Sequence, residues 1–533
     1  GIDPNFVNAL CPDDLERVTD VLDGAFERMP ALMNAGIRSI INGPITYTID
    51  GAPLVGKIPG KENAFCIIGL RAGLGEGGGH GWLLAQQIVH GEACYDTWCL
   101  DPRRFTTHAN VEMTSLKAIE DYQNEFRFHF PHEHRPAARN AKTTPLTPVM
   151  AKENAEFTVI NGWERVEYIK PSEDFHPSLS FHFDEAFDIV ANEVKNVQNN
   201  VGLTEVNGFN RFEIRGSDAE NFIDRMFCGN ITHKIGRVGL GYLLNDFGMI
   251  KSEATISNLP SSDRGPKRMW YGSAAASEFH DMDWLKQHLK ADEEVEIKSL
   301  TNDQTILLLA GPNAREVLSS CSREDWSKEA FPWLSVRECF IGFSPATVMS
   351  VSFSGELAYE VHVPNAFLYA AYLSISNAGK GFGMKLFGSR AVESMRLEKG
   401  FLAWKSDLLT EFDPFETGLE RFVNLKKDNF IGKDALQNRI KNSPKQKLVC
   451  LKVACKHAPA YGGASLMEDG KVIGTITSGD WGHRVNLNLA YAFVNPEKSE
   501  LGTQMLLDLL GEMISVEVIP FGPYDSNFSR ILS

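Results

Sequence analysis

"GLRAGLGEGGGHGW", residues 69–82, places six glycines in the nine positions from Gly73 to Gly81. An apolar, β-like stretch, Phe65-Cys66-Ile67-Ile68, precedes it, and the helix-like Trp82-Leu83-Leu84-Ala85-Gln86-Gln87-Ile88-Val89 follows. Gly73, Gly75 and Gly78 satisfy G-x-G-x-x-G. Strand, glycine turn and helix is the order of a nucleotide-binding crossover. There, glycines let another group approach the backbone, and the helix N-terminus attracts phosphate or the polar edge of a ring. The same order arises where a helix packs tightly on its strand. The acidic residue that a dinucleotide site needs is poorly matched, because Asp96 stands at a fair distance but inside a loop. Both readings stand on these residues alone.

The surrounding chain sets bounds. Its 533 residues exceed one core and predict three or four domains. A net charge of −16 argues against nonspecific binding to nucleic acid or an acidic membrane surface. Nine cysteines without a C-x-x-C pair read as reduced, packed thiols rather than a disulfide framework or a zinc site. No apolar run approaches the ~20 residues needed to span a bilayer. The chain starts at Gly1 rather than Met, which is expected of a processed or truncated product.

Residues 12–36 predict a helix, with Leu15, Val18, Val21, Leu22 and Phe26 at helical spacing. Residues 37–60 predict two β-like stretches broken at Asn42-Gly43-Pro44 and Asp50-Gly51. From about 106 to 195 the composition turns polar, aromatic and irregular. From "VGLTEVNGFNRFEIRG" (201–216) onward, β-like segments alternate with helices such as 217–227, which Ser217 is placed to cap. Short alternating strands over 447–533 predict a small barrel. The histidines of "HFPHEH", His129, His132 and His134, have superficially metal-like spacing, but loop histidines without a second cluster read as solvent-facing.

Three further stretches carry chemistry. In "VSFSGELAYEVHVP" (351–364), alternation places Phe353 on a strand face, with Gly355 permitting a turn, and leaves Glu360 half-buried between Tyr359 and Val361. A carboxylate there is either salt-bridged or a bidentate acceptor for two ligand N–H donors. "NDFGMIKSEATISNL" (245–259) puts Glu253 on a strand, by default exposed. "FGSRAVESMRLEKGF" (387–401) predicts a helix bearing Arg390 and Arg396, the first a fork for a carboxylate and the second paired structurally.

"NGPITYTIDGAPLVG" (42–56), the glycine run and "VHGEACYDTWCLDPRRF" (89–105) together resemble the C-terminal end of the flavin domain of the dimethylglycine and sarcosine dehydrogenase family. "NGWERVEY" resembles that family's middle domain. "EFHDMDWL", "EVEIKSLT", "LAGPNAREVL" and "SGELAYEVHV" resemble its folate-binding half, shared with the aminomethyltransferase (T-protein) of the glycine cleavage system. The resemblance implies a multidomain α+β architecture. Residues 1–105 are the C-terminal part of an FAD-dependent oxidoreductase domain, 106–195 the middle domain, 196–445 the aminomethyltransferase-like folate-binding domain and 446–533 the C-terminal β-barrel.

It also implies site residues. Arg71, Ala72, Gly73, Leu74, Gly75 and Glu76 match the later segment whose backbone covers the flavin ring, so the glycine run is a contact to FAD and not a pyrophosphate loop. Glu360 matches the glutamate that binds the pterin of tetrahydrofolate, and Phe353 an aromatic that is a tyrosine in the family. Glu253 matches the acidic residue beside the reacting edge of the folate, and Arg390 the first arginine of the folate site. Arg421 stands where the family can have a tyrosine. No metal is implied.

The implied activity is oxidative N-demethylation of dimethylglycine or sarcosine, with the one-carbon unit leaving as 5,10-methylenetetrahydrofolate. The upstream phosphate loop lies before anything in these residues, so this chain alone is expected to oxidise amines poorly or not at all. Expected partners are an N-methylated amino acid, an electron acceptor that is a flavoprotein or oxygen, and a separate chain carrying the remaining FAD half. The expected location is cytoplasmic in a bacterium and the mitochondrial matrix in a eukaryote. A folate-only aminomethyltransferase and a noncatalytic folate-binding or assembly protein are the competing readings.

Overall fold

The computed structural model describes residues 9–261 and 267–533, and every element below is drawn from these described residues. Near the N-terminus, Leu54–Lys57 pairs antiparallel with Phe65–Ile68. The glycine run is not a loop. Gly73 opens one helix, Gly73–His90, which ends where Gly91 adopts the left-handed conformation at φ +82°. No residue of that helix is buried. Residues 12–36 hold a shorter helix, Thr19–Arg28, flanked by two 3-10 turns, and the first of the two β-like stretches forms only an isolated bridge, Cys11 to Asn42.

Two sheets build the body of the molecule. The six-stranded sheet runs in the order Val336–Ile341, Ser344–Met349, Ala358–Pro364, Gln304–Ala310, Val201–Val206, Met384–Leu386. All its neighbours are antiparallel except the last pair. Tyr359, Val361 and Val363 of its third strand join the main core with Val317, Leu318 and Ile375 of the helices Ala314–Cys321 and Leu368–Gly379. The five-stranded sheet runs Glu296–Ser299, Phe209–Arg215, Arg268–Ala275, Ile250–Leu259, Val238–Leu244. One of its faces packs Phe212, Ala254, Ile256 and Tyr271 onto helices Ala219–Met226 and Glu278–Gln287. Six strands between Lys447 and Ile519 close into a barrel around Val449, Leu451, Ala490, Ala492 and Leu507, and alternate burial such as that of Gln504–Leu509 is the period-two signature of a small closed barrel.

Three expectations are corrected. The boundary at 195/196 falls inside the helix Phe187–Asn199, whose Val190, Val194 and Val197 pack on Leu308, Ala310 and Phe387 of the two-sheet body. The polar composition of 106–195 conceals this stripe, although its spacing is helical. Ser217 does not cap the helix Ala219–Met226; its hydroxyl bonds the Glu294 carboxylate at 2.8 Å instead. Finally, only Ala358–Pro364 of 351–364 is strand. Ser352 Oγ donates to the Glu356 carbonyl and accepts from the Gly355 N–H, and Gly355 sits at φ +80°, so Phe353 lies in a tight loop rather than on a strand face.

Candidate functional site

Alternation along Ala358–Pro364 buries Tyr359, Val361 and Val363 in the core and turns Glu360 and His362 to the opposite face. Glu360 is cross-strand neighbour to Leu308 on one side and Met349 on the other. Its side chain keeps about a third of its surface exposed, and its Oε1 makes no protein hydrogen bond among the described residues. Burial pulls the Glu360 carboxyl upward, but His362 and Arg211 outweigh it and hold it below the ordinary range. The result is an ionised acceptor with one oxygen open.

The facing sheet supplies the second carboxylate. Glu253 lies in the strand Ile250–Leu259, directly across from Tyr242, whose hydroxyl donates to Glu253 Oε2 at 2.7 Å. Burial raises Glu253 to about 7, the Tyr242 hydrogen bond opposing only in part. Four residues on and on the same strand face, Ser257 reaches Met349 Sδ at 3.5 Å. Met349 is the neighbour of Glu360, so the two glutamates lie on the sheet faces that meet at this contact, Glu253 four residues along its strand from it. The other face of the Glu253 strand is committed to the core through Ala254 and Ile256.

A loop after the helix Ser389–Lys399 walls this space. Phe401 stacks parallel on Phe353, centroids 5.9 Å apart. Leu402 joins the cluster that contains Tyr242, and Trp404 Nε1 donates to the Lys251 carbonyl at 3.2 Å. Phe353 therefore reaches the site through Phe401, despite lying in a loop. Arg390 does not present an open fork. Both its terminal nitrogens donate to Asp184, each at 3.0 Å, with the Tyr168 ring below. This corrects the expectation of a free clamp: the partner stands 206 positions away and no local pattern shows it. Arg396 pairs with buried Asp407 at 2.7 Å. Arg421 lies over Phe422 and lines a cleft of about 200 Å³ with Phe227, Asn230 and Leu240, along the edge strand Val238–Leu244.

The flavin-type residues form a distinct surface. Ala72 precedes the helix, and Gly73, Leu74, Gly75 and Glu76 form its exposed first turn. Arg71 is tied back to Asp121 at 3.0 Å beneath Tyr47. A Cβ added at Gly73, Gly75, Gly77, Gly78, Gly79 or Gly81 meets nothing within 4 Å, and His80 Nδ1 is buried without a partner among the described residues. The segment that follows is moored to the two-sheet body. Asp96 accepts from Lys405 at 2.6 Å and from Thr410, and although burial works the other way these bonds bring it down to about 2. His132 and His134 both face the Glu167 carboxylate, at 2.6 and 2.5 Å. Residue-type reasoning misses Tyr242, Arg211 and His362. Of these, His362 has a visible signal, because it follows Glu360 by two positions and so shares its strand face.

Residues 90–144 match the FAD dependent oxidoreductase central domain, 146–427 the GCVT N-terminal domain and 446–525 the glycine cleavage T-protein C-terminal barrel domain. The chain is 33% identical over 522 residues to mitochondrial dimethylglycine dehydrogenase of Homo sapiens, spanning 97% of this chain and 60% of that protein. It is 26% identical over 578 residues to mitochondrial sarcosine dehydrogenase of Mus musculus, spanning 99% and 62%. It thus spans about three fifths of the length of these relatives. The crystal structure of glycine cleavage system aminomethyltransferase T from Bartonella henselae shares the fold, with a TM-score of 0.62 at 22% identity over 72% of this chain and 98% of that one. Because the matched two-sheet body alone makes up more than half of the residues and the matched barrel completes it, the chain belongs to the glycine cleavage T-protein family.

Proposed function

We propose that this chain is the folate-binding and flavin-facing part of an oxidoreductase that demethylates dimethylglycine or sarcosine and passes the one-carbon unit to tetrahydrofolate. The observation that carries this reading is the pair of unlike carboxylates on the two meeting sheet faces, in a chain similar to dimethylglycine dehydrogenase over nearly its whole length. Glu360, ionised and with Oε1 open, accepts the adjacent N–H donors of a pterin. Phe353 and Phe401 supply apolar ring faces beside it. Glu253, titrating near 7 and oriented by Tyr242, is suited to take or give a proton at the folate edge. Holding the acceptor close to where the one-carbon unit is released raises the transfer rate through proximity.

Two features of this chain fit FAD: the open space over the six glycines and the orphaned His80 Nδ1 both suit a group approaching the helix Gly73–His90 from outside. When bound, FAD supplies oxidation of the N-methyl amine, and the contacts offered here are Arg71 to Glu76. The remaining flavin contacts belong to a region equivalent to the part of the relatives that this chain does not span, carried upstream or on a partner chain. A flavoprotein or oxygen takes the electrons. The location is the mitochondrial matrix in a eukaryote and the cytoplasm in a bacterium. No helix among the described residues is long and apolar enough to cross a membrane.

Anaerobic calorimetric titration with tetrahydrofolate, run beside Glu360→Ala, tests the reading. Saturable binding that disappears in the variant is expected. A folded wild-type chain that takes up no tetrahydrofolate would overturn it.

A further inference from the structure

His362 lies two residues beyond Glu360 on the same strand face and is fully buried. Its surroundings leave one choice of tautomer. Arg211, buried in the strand Phe209–Arg215 of the facing sheet, points Nη1 at His362 Nδ1. A guanidinium can only donate, so Nδ1 is an acceptor and the ring proton sits on Nε2. Nε2 has no regular hydrogen-bond partner among the described residues, and Glu360 Oε2 lies 3.1 Å from it. Trp270 packs edge-on against the imidazole at 5.8 Å, and Arg211 lies over the same indole at 5.5 Å, so ring and guanidinium hold each other in place.

We infer that His362 is a positioning residue of the candidate folate site: fixed as the Nε2–H tautomer by Arg211, it sets its N–H dipole 3.1 Å from one oxygen of Glu360 and so biases the plane in which the other meets the ligand. This rests on the folate reading of Glu360. Each carboxylate oxygen has two lone-pair directions, so an N–H beside Oε2 leaves it free for a bidentate contact. Burial first, and the Arg211 charge second, bring His362 down to about 4, which keeps the ring neutral at pH 7. A neutral donor steadies the carboxylate and leaves its charge for the ligand.

The test has two independent arms. In the first, tetrahydrofolate is titrated into the wild type, His362→Phe, His362→Gln and Glu360→Gln, each verified as folded by its melting curve. Losing the N–H dipole beside a charged group predicts severalfold weaker binding for His362→Phe. His362→Gln, whose amide restores an N–H, should recover most of it, and His362→Phe should add nothing in the Glu360→Gln background. Wild-type affinity in His362→Phe, or an equal loss in both backgrounds, would overturn the inference. The second arm needs no ligand. Long-range nitrogen–proton NMR of labelled histidines assigns His362 as the resonance that moves in Glu360→Gln. The Nε2–H form at pH 7 supports the inference, and an Nδ1–H or doubly protonated ring overturns it even if folate binds. If the tautomer is as expected but the wild type binds no tetrahydrofolate, the folate reading falls while the hold of His362 on Glu360 stands.

Discussion

Two residues with the same side chain, Glu253 and Glu360, end on opposite sides of the ordinary range, because burial raises both and only Glu360 has neighbours that outweigh it. Glu360 has a buried arginine and a histidine N–H to stabilise its charge; Glu253 has only a tyrosine hydroxyl and so rises to about 7. A carboxyl raised in the folded state binds more protons there than in the unfolded chain, so its ionisation removes stability as pH climbs from about 4.5 through 7. Glu253→Gln imitates the protonated acid. It should raise Tm at pH 8, leave Tm nearly unchanged at pH 5 and abolish one-carbon transfer; an equal shift at both pH values would refute the assigned cause. Arg390 yields a different prediction. With its fork taken by Asp184, Asp184→Ala leaves a buried unpaired guanidinium and should destabilise the fold by about 3–5 kcal/mol. Tetrahydrofolate affinity of the molecules still folded should not change, and a selective loss of affinity would return Arg390 to the site. Glu253 and Glu360 are legible as candidates from residue chemistry and resemblance, because each sits on a short alternating stretch. Arg390 is not, because a long-range partner leaves no trace in local spacing.

At the scale of elements, period-two and helical patterns locate Phe65–Ile68, the helix Ser389–Lys399 and the barrel strands well, since each follows a regular alternation of apolar and polar positions. The stretch 351–357 misleads for a physical reason: its alternation is that of a strand, but Ser352 competes for the backbone and Gly355 turns left-handed. The glycine helix is a larger surprise. Each glycine in a helix interior costs about 1 kcal/mol relative to alanine, and a Cβ at any of the six in this helix would meet nothing within 4 Å among the described residues. Replacing Gly75, Gly77 and Gly79 by alanine should therefore increase the hydrogen-exchange protection of Gly73–His90, by up to about 3 kcal/mol in opening free energy. The same changes should impair flavin loading of the assembled enzyme if the backbone there is approached closely. Unchanged loading would return the helix to a purely structural role.

Across the whole molecule, separate units converge on one buried carboxylate. Glu356 closes the loop that presents Phe353. It accepts from Arg484 of the barrel at 2.7 Å and from Tyr524 at 2.8 Å, and Arg530 of the C-terminal segment bonds its second oxygen. Arg484 also bonds Glu398, and Lys399, which lies against Gly355, reaches Asp525 at 3.1 Å. The barrel and the C-terminal segment thus fasten the wall of a site whose glutamates both belong to the two-sheet body. The fastenings differ in worth. Arg484 is fully buried and keeps Glu398, but Glu356→Ala leaves one of its donors unsatisfied where water cannot replace the partner and should destabilise the fold by about 1–3 kcal/mol. Arg530 is about a third exposed, and an ion pair of that kind contributes about 1 kcal/mol or less. Arg530→Ala should accordingly lower the first melting transition only slightly. It should nevertheless weaken tetrahydrofolate binding several-fold, because it frees the loop while leaving Glu253 and Glu360 untouched. Calorimetry on the two variants separates the cases: an Arg530→Ala chain with wild-type affinity would show that the barrel alone holds Phe353 in place.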